Sequence, residues 1–163
     1  MRTKRLALCA LYTAIALTIF VLETQIPPLL PVPGVKLGLS NIVTLFALCS
    51  LGGKEACAIV LVRIVLGNLA TGQVSAIFYS LGGGMLSFFT MLLAMRIVKS
   101  SQIWVVGVLG GIAHNIGQIC VAVLLTQTVG LFVYLPMLLL CGIATGALTG
   151  LCAQILKNRR IFQ

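Results

Sequence analysis

A chain of 163 residues in which 60% are hydrophobic and 8% charged departs far from the soluble norm of about 25% charged residues, and a water-soluble globular fold is excluded. The formal net charge is +9, but the basic residues fall at the chain ends and in short connections. That placement argues for membrane topology and against nucleic acid as a partner. At about 20 residues per span, the length accommodates about six helices and almost no extramembrane domain.

Arg2, Lys4 and Arg5 precede an apolar stretch, Leu6 to Leu22. It is too long for a signal peptide and lacks a small-residue cleavage site, so a retained first helix is expected over about 6–24. On it Ala10 and Ala14 lie one turn apart, a small surface on which another helix can approach closely. Residues 25–38, QIPPLLPVPGVKLG, hold four of the five prolines and exclude a regular helix. Apolar irregular chain is tolerable at membrane depth only where protein or a wet cavity surrounds it. A cap over the bundle is expected, with Lys36 as its one charge.

The second span, 39–51, is short for a full crossing. Gly52-Gly53-Lys54-Glu55 reads as a hairpin turn; the phosphate-loop pattern fails, because glutamate follows the lysine and the upstream glycine is missing. The third span, 56–70, carries Arg63. An arginine inside a span costs about 2.5–3.5 kcal/mol and needs a counterpart. Helix carbonyls, Glu55 two turns away and an anionic ligand are all candidates. The fourth span, 74–98, places Tyr79 and Ser80 before Gly82-Gly83-Gly84, a triple that permits a kink or a close approach.

The fifth span, 103–125, contains a polar knot, Gly107 to Gln118, with the single histidine His114, then Asn115 and, one turn on, Gln118. Side chains of this kind at bilayer depth either bond neighbouring helices or line a ligand cavity. The sixth span, 131–156, holds Tyr134, Pro136 and the stripe Gly142, Gly146 and Gly150, a helix-packing face.

The six cysteines are scattered singly without a metal-binding or redox spacing. The only carboxylates are Glu23 and Glu55, and there is no aspartate. Magnesium-dependent diphosphate or nucleotide chemistry needs clustered oxygen ligands, so no enzymatic activity, metal or cofactor is expected of this chain. Nine basic residues in one set of connections and ends against Lys36 in the other put both termini in the cytoplasm. Polar residues converging from several helices then describe a small-molecule site open to the outside. Lys36 and Arg63 favour an anionic ligand, and the apolar surroundings favour one with a hydrophobic body.

Lys-Leu-Gly-Leu-Ser-Asn at 36–41, Arg63 with Gly67, Ser-Leu-Gly-Gly-Gly at 80–84, His-Asn-Ile-Gly-Gln at 114–118 and Tyr-Leu-Pro at 134–136 resemble the Gx transporter family. Members of that family are often labelled heptaprenyl diphosphate synthase component I, and the family is similar to the S components of energy-coupling-factor transporters. The resemblance covers nearly the whole chain. It implies an all-α integral membrane protein, one domain of six transmembrane helices over 1–163, in a bacterial cytoplasmic membrane. It further implies a substrate-binding subunit that captures a vitamin or precursor from outside, working in lipid with a transmembrane coupling subunit and two cytoplasmic ATPases. Ala10 and Ala14 match the partner-docking surface of such subunits. The ligand set carried over is Lys36, Asn41, Tyr79, Ser80, His114, Asn115, Gln118 and Tyr134, with Arg63 lying deeper. Two other readings fit the residues: a non-catalytic membrane subunit associated with polyprenyl diphosphate or quinone biosynthesis, and a membrane electron-transfer subunit, which one histidine and scattered cysteines support poorly.

Overall fold

The computed structural model describes residues 2–26 and 36–158. Within them the chain forms six α-helices, α1 (Arg2–Thr24), α2 (Asn41–Ser50), α3 (Gly53–Ala70), α4 (Ala76–Ile97), α5 (Ile103–Thr126) and α6 (Leu135–Asn158). Short 3₁₀ segments, Ser100–Gln102 and Val129–Tyr134, lead into α5 and α6. Among the described residues there is no strand. Most of the proline-rich stretch expected to cap the bundle, 27–35, lies outside the described residues.

The expectation of six membrane-crossing helices in an S-component-like bundle is corrected. Four helical segments are long and apolar enough to cross a membrane: Thr3–Thr24, Ala76–Ile97, Ser100–Thr126 and Val129–Asn158. The other two fail for separate physical reasons. α2 has 10 residues, about 15 Å at the helical rise and half the hydrocarbon thickness. α3 has 18 residues but carries Lys54, Glu55 and Arg63, too many charges for a lipid-facing span. α2 is largely packed among its neighbours, with Leu45 fully buried, whereas α3 buries the face that carries Val60, Arg63 and Ile64 and leaves Leu61, Val62, Val65, Leu66 and Leu69 exposed.

The turns between helices follow from local chemistry. After α2 the N–H groups of Leu51 and Gly52 both donate to the Ala47 carbonyl, and Gly52 takes φ +104°, a conformation that side-chain-bearing residues avoid. Pro136 sits in the first turn of α6, where its missing N–H costs no helical bond. The start of α5 is completed from α6: the Ile103 N–H donates to Gln154 Oε1 at 2.7 Å.

α5 is the central element, flanked by α4 and α6 through glycine. A Cβ on Gly107 would lie 2.5 Å from the Gly146 carbonyl oxygen, and one on Gly150 would lie 2.5 Å from that of Trp104. On the α4 side, a Cβ on Gly117 would lie 2.5 Å from the Gly82 oxygen. The helices therefore touch backbone to backbone, the geometry that small residues allow in membranes. Outward, the bundle presents large apolar side chains such as Leu11, Phe78, Phe89, Leu93, Leu140 and Leu151. The surface is the hydrophobic one that lipid requires, and this is a multi-pass membrane protein.

Two contacts align the ends. Arg5 pairs with Glu55 at 3.5 Å, bringing the start of α1 to the α2–α3 turn. Lys157 Nζ donates to Ser100 Oγ, bringing the end of α6 to the α4–α5 connection. The segments holding Arg5, Lys54, Lys99 and Lys157 thus share one end of the bundle.

Candidate functional site

Away from that basic end, five elements converge on a narrow cleft. The last turns of α1 contribute Phe20 and Glu23; the segment before α2 contributes Lys36, Gly38 and Ser40. α3 adds Arg63 and Ile64, α4 adds Ser80, and α5 adds His114 and Gln118. His114 and Gln118 share a face because they are four residues apart on a helix. As it stands the cleft has space for about one water molecule.

The segment 36–40 is tied to the bundle at several points. The Lys36 N–H donates to Gln118 Oε1 at 3.2 Å, and the Gly38 N–H donates to Glu23 Oε1 at 2.5 Å. Arg63 Nη1 donates to Ser40 Oγ. Gly38 has φ +77°, and a Cβ there would come within 2.6 Å of His114 Cδ2, so glycine is required twice over, by conformation and by space. Gly83 serves the opposite side: its Cβ would lie 2.6 Å from Gln118 Cγ and 2.8 Å from the His114 carbonyl oxygen. His114 is wedged between these two glycines.

Lys36 Nζ lies 3.7 Å from the centroid of the Phe20 ring, a cation–π contact. Burial pulls the Lys36 ammonium down to about 8, Glu23 opposes the fall and Arg63 adds to it. Two cations and one carboxylate therefore line the cleft, and none of them forms a contacting ion pair with another; among the described residues the ion pair in contact is Arg5–Glu55.

The polar atoms of this region are poorly satisfied. Glu23 Oε2, Lys36 Nζ, Arg63 Nε, both ring nitrogens of His114 and Gln118 Nε2 are buried without a hydrogen-bond partner. An orphaned buried polar atom costs about 1–3 kcal/mol and calls for an explanation such as a bound water, ion or ligand. Asn68 Oδ1, Ser87 Oγ and Asn115 Oδ1 are orphaned outside the cleft as well, but the cleft holds the largest group. Most of these atoms are donors, so the chemistry suits an acceptor-rich group such as a carboxylate or phosphate.

Of the residues proposed from sequence, Lys36, Arg63, Ser80, His114 and Gln118 line the cleft. Asn41 is buried next to Gly38 with both amide atoms unpaired. Asn115 points elsewhere, its Nδ2 donating to the Leu138 carbonyl of α6 at 2.6 Å. Tyr79 packs in a separate apolar cluster with Ile119 and Leu138, and Tyr134 sits against the same cluster. Ala10 and Ala14 lie on the exposed face of α1, while Gly142, Gly146 and Gly150 are buried against α5. Sequence reasoning missed Phe20, Glu23 and Ser40. Glu23 did carry a signal, being one of two carboxylates in the chain and ending an otherwise uncharged apolar run.

The fold and site define the class: a multi-pass helical membrane protein with a buried, charged, donor-rich cleft. Within that class, the family model for heptaprenyl diphosphate synthase component I matches residues 12–156, and the chain belongs to that family. This corrects the assignment to Gx transporters and S components of energy-coupling-factor transporters, because the matching family is the synthase component. No curated protein and no solved structure matches the chain.

Proposed function

We propose that this protein is a non-catalytic membrane subunit associated with polyprenyl diphosphate synthesis, holding an anionic prenyl compound by its headgroup while its hydrocarbon tail lies against the apolar bundle. The observation that carries this reading is the cluster of unpaired donors on Lys36, Arg63, His114 and Gln118 in one cleft. The family name supplies the substrate class. Without aspartate and with two carboxylates, the chain leaves magnesium binding and bond formation to a partner enzyme, a soluble prenyltransferase.

A second reading has its own support. Glu23 and Ser80 lie in the halves of α1 and α4 remote from the basic end, which the positive-inside bias puts in the cytoplasm. A cleft near the outer face suits capture of a small anionic precursor from outside.

The test is purification from native membranes in mild detergent, followed by mass spectrometry of retained small molecules and proteins, with a Lys36→Ala, Gln118→Ala double variant as control. A prenyl diphosphate retained by the wild type and lost from the variant, together with a co-purifying prenyltransferase, supports the first reading. A different anionic compound without that enzyme supports the second. A folded wild type that is empty and unpartnered refutes both.

A further inference from the structure

Glu23 is the anomaly of the cleft. Two buried cations need a counterion while the site is empty, but a carboxylate in the same space opposes an incoming anion; Glu23 is 5% exposed and lines the same space as Lys36 and Arg63. Its Oε1 takes the Gly38 N–H, a backbone donor of the kind an oxyanion ligand would use. Its Oε2 has no partner. Neither cation forms a contacting ion pair with it, Arg63 being turned to Ser40 and Lys36 stacked on Phe20, although both lie within electrostatic reach of the carboxylate. The cleft, meanwhile, has no room for a headgroup.

We propose that Glu23 is a built-in counterion and latch, standing in the closed site for the oxyanion of a diphosphate-bearing ligand, which displaces it and frees the end of α1 from Gly38. This rests on the binding role proposed above and deepens it. The geometry allows the motion. Glu23 is one residue from the end of α1, a helix exposed along much of its length. Deeper in the bundle α1 is held by Phe20, which fills the notch of Gly67, where a Cβ would lie 2.7 Å from Phe20 Cδ1. The last turn can therefore swing while the seat at Phe20 holds. Once Glu23 leaves, the Gly38 N–H, Arg63 Nε, Lys36 Nζ and Gln118 Nε2 face an open space, and an acceptor-only headgroup satisfies them all. While Glu23 remains, a second anion beside it is repelled.

The experiment uses the full chain in neutral phosphatidylcholine nanodiscs, with inorganic diphosphate and farnesyl diphosphate as probes. Glu23→Gln keeps the side-chain shape and an acceptor for Gly38 but removes the charge. It is expected to bind both probes about tenfold or more tighter than wild type, the scale of one like-charge interaction a few ångströms away in a partly shielded site. Hydrogen exchange at the Gly38 amide, slow in the wild type, is expected to quicken in Glu23→Ala. Equal or weaker binding by a folded Glu23→Gln, with wild type still binding, overturns the latch and leaves the binding role standing. If neither wild type nor Glu23→Gln binds either probe, the binding role itself fails and the latch with it, whatever the exchange result. Should Glu23→Gln not fold, the wild type decides: the carboxylate band of a ¹³C-labelled Glu23 is expected to shift on farnesyl diphosphate addition, and an unchanged band in a saturated sample overturns the proposal.

Discussion

Replacing Gly107 by alanine adds one methyl group inside the close-packed α5–α6 seam. The new carbon would lie 2.5 Å from the Gly146 oxygen, 2.6 Å from Gly150 Cα and 2.8 Å from Gly150 N, whereas ordinary contact begins at 3.4 Å. All three obstacles are backbone, so no side chain can turn aside. The helices must part by about 1 Å, and a gap of that size forfeits a quarter to a half of each dispersion contact across the seam. Overpacking of this kind costs about 1–3 kcal/mol, and the rigid backbone argues for the upper half of that range. Alanine returns about 1 kcal/mol through its better helix propensity. The expected net loss is about 1–2 kcal/mol, measured by denaturant titration of the purified protein in mixed micelles. Gly130→Ala is the control, since nothing lies within 4 Å of its Cβ position, and it should be close to neutral. A Gly107→Ala variant as stable as wild type, or more so, would refute the backbone-to-backbone seam.

Ser40→Ala removes the acceptor of a buried guanidinium hydrogen bond from Arg63 and is expected to destabilise by about 1.5–3 kcal/mol in the same titration. Asn115→Ala breaks the bond to the Leu138 carbonyl for a loss of about 0.5–1.5 kcal/mol; because the side chain faces α6 and not the cleft, diphosphate affinity measured by calorimetry should be unchanged. Lys36 is charged below about 8 and neutral above it, so wild-type affinity for an anion should fall as pH rises from 7 to 9. Arg63, Glu23 and His114 line the same cleft, so the comparison must be with Lys36→Met, whose affinity should be lower at pH 7 and should show less of this fall. A wild-type profile parallel to that of the variant would remove Lys36 from the site.

Much of the fold was legible because membrane burial imposes a coarse, local code. Long apolar runs interrupted by Gly52, Gly72 or the Ser100 region mark helices whatever their neighbours, and the observed helices begin and end close to the expected spans. The stripe Gly142, Gly146 and Gly150 announced a close helix approach, since three small residues at four-residue steps leave a groove on one face. The family resemblance was less reliable: shared motifs pointed to a transporter class that the family match replaces.

What the chain order could not convey is which runs cross the membrane and which residues meet. Apolarity places α2 and α3 inside, but only tertiary packing shows that a 10-residue helix is enclosed by its neighbours and that Arg63 lies on the buried face of a helix whose other face is exposed and apolar. The cleft joins Lys36 to Gln118 across 82 positions of sequence, and Glu23 to Gly38 across 15. Asn115 and Gln118 looked equivalent as amides one helical turn apart, yet the offset of about 60° that three residues leave around an α-helix is enough for one to bond α6 and the other to line the cleft. Sequence by itself determined a helical protein dissolved in lipid, because hydropathy is a property of each segment alone. The tertiary structure decided the site, because a buried charge acquires its role from the groups that surround it.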